Sequence, residues 1–96
     1  MTERVEIGVS YTGWPVRARG DYAFGLDVLS EDLVADCLSW VRWFNRAFSP
    51  EDGWVSAQTE RSHFARGREL RDRLQRELGA AYVVELTGMY PGTVGW

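Results

Sequence analysis

Between Arg4 and Tyr11 apolar and polar residues alternate, with Val5, Ile7, Val9 and Tyr11 on one side and Arg4, Glu6, Gly8 and Ser10 on the other. A period of two predicts a half-buried strand. Thr12-Gly13 supplies turn chemistry, and Trp14-Pro15-Val16 opens a second, short strand. Pro15 cannot donate to a ladder, which assigns that strand to an edge or to irregular pairing. Tyr22, Phe24, Leu26 and Val28 then alternate with Ala23, Gly25 and Asp27. This predicts a third strand, weakened by Gly20 and Gly25.

The period changes after Ser30. Ser30 is a good N-cap, and Glu31 and Asp32 place negative charge where a helix dipole favours it. At about 100° per residue, residues 33–48 put Leu33, Cys37, Trp40, Val41, Phe44 and Phe48 on one face. Asp36, Ser39, Arg42 and Arg46 fall opposite, as in an amphipathic core helix. Ser49-Pro50-Glu51-Asp52-Gly53 ends it. A second helix is predicted from Ser56 or Thr59 to Leu78, with Gly79 as its stop. Its apolar stripe is Phe64, Leu70, Leu74 and Leu78. Gly67 lies inside that stripe, where it costs about 1 kcal/mol relative to Ala, so close approach of the first helix is expected there. The spacing also predicts the pairs Arg68–Asp72, Glu69–Arg73 and Asp72–Arg76.

A last strand is predicted over Ala81–Leu86, and residues 87–96 form an irregular tail carrying Met89, Tyr90 and Trp96. The expected architecture is a single α+β domain over residues 1–96. A small, mostly antiparallel sheet has two antiparallel helices packed on one face, and the first and last strands pair near its centre.

From Trp14-Pro15-Val16 through Leu29-Ser30-Glu31-Asp32-Leu33 to the run from Arg66 to Gly79, the chain resembles a group of small, uncharacterised actinobacterial proteins. They share a helix ending in a similar Gly-Arg-x-Leu…Leu…Glu-Leu-Gly run, here Gly67-Arg68-Glu69-Leu70, Leu74 and Glu77-Leu78-Gly79. The resemblance implies a bacterial, cytoplasmic setting and brings no catalytic residues with it.

Composition narrows the function classes. All 11 basic residues are Arg and the net charge is −3, which argues against nucleic acid as the main partner. Cys37 is the single cysteine, so no disulfide forms within the chain. The opening residues lack a secretion signal, and no apolar run reaches the ~20 residues that span a bilayer. The chain reads as cytoplasmic, without a membrane partner.

Catalytic and metal constellations do not assemble from this sequence. Glu60 and His63 have the Glu-x-x-His spacing of carboxylate-bridged metal bundles, but the facing helix offers no matching set. Cys37 falls on the apolar face without a basic neighbour to activate it. The glycines form no phosphate-binding loop. The six arginines between 61 and 76 spread around their helix with Glu60, Glu69, Asp72 and Glu77 among them, unlike a nucleic-acid-reading face. No cofactor, metal or catalytic residue is assigned.

The surplus of aromatics is the most informative feature. Trp43 falls toward the polar side of the first helix, beside Arg42 and Arg46, with Asp36 one turn or more away and Trp54 in the interhelical loop. Trp, Tyr and Arg dominate interface hot spots. This group predicts an outward aromatic and arginine patch on a non-enzymatic protein-binding module, acting on a partner protein or its own copy. An immunity- or antitoxin-like inhibitor is one form of such a module. Two alternatives stay open: a small enzyme or ligand-binding domain with a Tyr/Arg/Glu site, and a nucleic-acid accessory protein using the arginine-rich helix.

Overall fold

The computed structural model describes residues 2–9, 13–49 and 51–87. Ser10–Thr12, Pro50 and the greater part of the expected tail, with Met89, Tyr90 and Trp96, lie outside the described residues. In chain order the elements are β1 (Glu3–Ile7), β2 (Val16–Arg17), α1 (Glu31–Ala47), β3 (Phe48–Ser49), β4 (Gly53–Trp54), α2 (Ala57–Leu78) and β5 (Tyr82–Leu86).

The α+β class is as expected. β1 is the central strand of a three-stranded sheet, antiparallel to β2 and parallel to β5, while β3 and β4 form a separate antiparallel pair. Alternation along β1 sends Val5 and Ile7 into the core with their cross-strand neighbours Val84 and Val16. The same alternation sends Arg4, Glu6 and Glu85 outward, where Arg4 bridges Glu6 and Glu85 and Arg17 reaches Glu6. One face is therefore apolar and carries both helices, and the other is a lattice of ion pairs.

The helices run antiparallel, as the contacts between them require: Ser30 meets Glu77, Asp36 meets Arg73, and Trp40 meets His63. Ser30 caps α1 by accepting from the Leu33 amide at 3.3 Å. It also donates its amide and hydroxyl to the two Glu77 carboxylate oxygens at 2.8 and 2.6 Å, tying the start of α1 to the end of α2. Gln75 performs a similar task for the sheet. Its side chain donates to the Tyr82 carbonyl at 2.8 Å and accepts from the Val84 amide at 3.0 Å. Backbone groups on the outer edge of β5 are thus bonded by an amide side chain instead of another strand.

Gly67 is where the two helices approach most demandingly. A Cβ there would lie 2.8 Å from Cζ2 of Trp40 and 3.2 Å from Cδ1 of Leu86. In an exposed helix Gly→Ala gains about 1 kcal/mol. Here the ring it meets is rigid and buried, so Gly67→Ala should lower stability by about 1–3 kcal/mol, read as a lower urea midpoint at unchanged slope.

Two expectations are corrected. Residues 22–28 form consecutive turns and no strand: Gly25 has φ +90, and its carbonyl accepts from the Val28 and Leu29 amides. The alternating pattern there reflects a chain coiling back on itself, which leaves Tyr22, Leu26 and Val28 exposed. The predicted i,i+4 ion pairs of α2 are replaced as well. Arg73 crosses to Asp36 on α1, Arg66 pairs with Glu69 and Asp36, and Arg68 lies over the Phe64 ring. The β3–β4 hairpin was not anticipated, and Phe48, assigned to the helical face, is its first residue.

Candidate protein-binding site

The core of the site is a buried histidine held among tryptophans. His63 has 0% exposure and Trp40 has 2%. Their rings stack at 4.6 Å with planes 8° apart. The Trp40 indole Nε1–H donates to the His63 carbonyl at 2.9 Å, and His63 Nε2 lies 2.8 Å from the Trp40 carbonyl. A carbonyl only accepts, so Nε2 carries the proton and the imidazole is the Nε2–H tautomer. Burial pushes the His63 pKa down to about 4, opposed only by its bond to the Trp40 carbonyl. The ring is neutral at physiological pH. The imidazole is fully enclosed.

Trp43 and Trp54 pack against the same imidazole. Trp43 meets it edge-on at 4.9 Å, and Trp54, delivered by β4, lies at 5.3 Å while also contacting Phe44 and Phe48. Both are half-buried. Trp43 is thus less outward than the wheel placed it, because α2 brings His63 under its edge.

On the outer side of this cluster a shallow hollow of about 400 Å³ is lined by Asp36, Ser39, Trp40, Trp43, Arg46 and Arg66. The structure brings three of the predicted residues, Trp43, Arg46 and Asp36, to one place. Arg42 is exposed beside it, donating to Ser39 Oγ at 3.2 Å. Trp54 does not line the hollow; it supports the cluster from the hairpin. Ser39, Trp40 and Arg66 complete the lining. Arg66 escaped the sequence because only the antiparallel register of α1 and α2 sets it opposite Asp36.

Asp36 meets two arginines of α2 through one carboxylate oxygen. Arg73 hydrogen-bonds it and Arg66 reaches the same oxygen at 3.4 Å, which holds its carboxyl below the usual carboxylate range. Arg42 and Arg46 have no carboxylate within ion-pairing distance among the described residues. A second hollow of about 410 Å³ lies against the outer sheet face, lined by Arg4, Glu6, Arg17, Arg19 and neighbours. Its arginines pair with Glu3, Glu6 and Glu85, so its charges are largely matched internally.

The catalytic candidates have quieter roles. Burial pushes the Cys37 thiol up to about 12, where little reactive thiolate exists at neutral pH. His63 is enclosed and already bonded. Among the described residues no group of three or more His, Cys, Asp or Glu side chains is placed to hold a metal ion. No helix among them is long and apolar enough to cross a membrane.

A comparison with the curated proteins finds no match. A family model described as Serratia CdiI immunity protein-like matches residues 3–88.

Proposed function

Since the chain belongs to the Serratia CdiI immunity protein-like family, we propose that it is a non-enzymatic inhibitor that neutralises a toxin by binding it, in the bacterial cytoplasm. The family assignment supports an immunity-like, protein-binding role. The site we assign to that role is the hollow over Trp43 with Asp36, Arg46 and the adjacent Arg42. The observation that carries this reading is the coincidence of half-buried indole surface with two arginines that lack carboxylate partners among the described residues. A partially exposed Trp on a rigid helix presents large contact area at little entropic cost, and Arg beside it adds directional hydrogen bonds.

The other two readings have less behind them. The unmatched arginines sit beside α2, whose six arginines are spread around the helix with Glu60, Glu69, Asp72 and Glu77 among them, a poor polyanion track. The hollow on the outer sheet face does bring Tyr22 beside arginines and glutamates, but those charges pair with one another and with Glu85.

Titration calorimetry with the toxin domain tests the reading. Trp43→Ala should weaken binding by about 2 kcal/mol or more, while circular dichroism shows the fold retained. Unchanged affinity for a folded Trp43→Ala protein would remove this face from the interface.

A further inference from the structure

We infer that the hollow over Trp43 receives an acidic, apolar segment of the partner protein: a large apolar side chain flanked by carboxylates. The inference rests on the reading of this face as the docking surface and adds the chemistry of what docks there. It runs against the chain's overall charge of −3, which by itself would suggest a basic partner.

Local accounting gives the opposite sign. Asp36 is the acidic residue of the lining, and its carboxylate is held by Arg73 and Arg66 from α2. Arg66 is in turn held by Glu69 at 2.8 Å. Those four charges cancel. What remains at the rim is Arg46, with Arg42 one turn before it on the same helix, both exposed and without carboxylate partners among the described residues. A partner that closes over Trp43 strips water from these guanidinium groups. Leaving a desolvated cation unpaired is strongly unfavourable. A basic partner segment would add repulsion to that cost, whereas a carboxylate meets an arginine fork with two parallel hydrogen bonds. The indole surface of Trp43 and the edge of Trp40 set the apolar part of the ligand. Opposite charge is not scarce elsewhere: between Gly20 and Val41 the chain has Asp21, Asp27, Glu31, Asp32 and Asp36 and no basic residue. A basic partner would therefore have a different surface to choose, at the end of the domain where α1 begins.

Two matched peptides decide between these signs: acetyl-Glu-Phe-Glu-amide and acetyl-Arg-Phe-Arg-amide, each titrated into ¹⁵N-labelled full-length protein. The expected result is a saturable shift of the Trp43 indole N–H with the acidic peptide and none with the basic one. Arg46→Glu, at an exposed position with no ion-pair partner among the described residues, should weaken the acidic peptide by about fivefold or more. A shift with the basic peptide, or none with either, overturns the inference. Those outcomes leave the docking face itself standing or falling on the Trp43→Ala calorimetry with the toxin domain, so the two failures are separable.

Discussion

Replacing Trp40 with alanine should lower the free energy of unfolding by about 3–5 kcal/mol, measured by chemical denaturation. For a domain of 96 residues that is a large part of the total. The size of the effect follows from how many elements the indole joins. Trp40 is 2% exposed and belongs to the core of α1. Its ring fills the space left by Gly67 and stacks flat on His63. Its Nε1–H is the donor to the His63 carbonyl, while its own carbonyl takes the His63 Nε2–H. Removing the side chain opens a cavity at the crossing of α1 and α2 and withdraws the surface on which the imidazole lies. Trp40→Phe separates packing from hydrogen bonding. It should cost less, because the ring contact with His63 and Gly67 survives while the bond to the His63 carbonyl does not.

Stability should also fall as the solution is acidified from pH 6.5 to 4, by about 3 kcal/mol from His63 alone. In the unfolded chain the imidazole takes up a proton near its ordinary pKa of 6.5, whereas in the folded protein it does so only near 4. Between those values the unfolded state binds more protons, so acid favours unfolding. Above the window both states are neutral and the group is silent; below it both are charged and the loss is complete. Asp36 and Glu77 act lower on the pH scale. Hydrogen bonds from Arg73 and from Ser30 respectively depress their pKa values, so their contributions are present at neutral pH and disappear as pH falls through the acidic range below the usual carboxylate values. Urea titrations in steps from pH 7 to 4 read the His63 component. His63→Gln, which stays uncharged throughout, should flatten that segment. An equally steep loss in the variant would assign it to other groups.

Both predictions concern residues whose roles were only partly legible in the sequence. Local signals were reliable where one element's chemistry decides the outcome. Ser30 and Ser56 cap the helices, Gly79 ends the second one, and the alternation of Val5 and Ile7 marks the buried side of β1. Gly67 also announced itself, since a glycine inside an apolar stripe calls for a close neighbour. The failures share a cause: partners that meet only after the chain has folded. Period two over residues 22–28 looks the same whether a sheet or a run of turns lies beneath it, and Gly25 decides for turns. The arginines of α2 had acidic neighbours at helical spacing, yet Arg73 crosses to Asp36. His63 showed only a Glu-x-x-His spacing in the sequence, and its enclosure comes from Trp40, Trp43 and Trp54, which meet it after folding.

The candidate site shows the same division. Trp43, Arg42 and Arg46 were recognisable as a group because one helix presents them. That Asp36 is engaged by Arg66 and Arg73, and so offers no free charge to a partner, depends on the antiparallel register of two helices. The sequence supplied the residues of the patch; the packing supplies its sign.

The most direct measurement of the central claim is site-specific photocrosslinking to the toxin domain. Benzoylphenylalanine would be placed at Arg46, on the rim of the hollow, and separately at Leu26, exposed in the turns that precede α1. An efficient crosslink from position 46 and little from position 26 is the expected result. A crosslink from position 26 with none from position 46 would contradict it and move the interface to the acidic end of the domain.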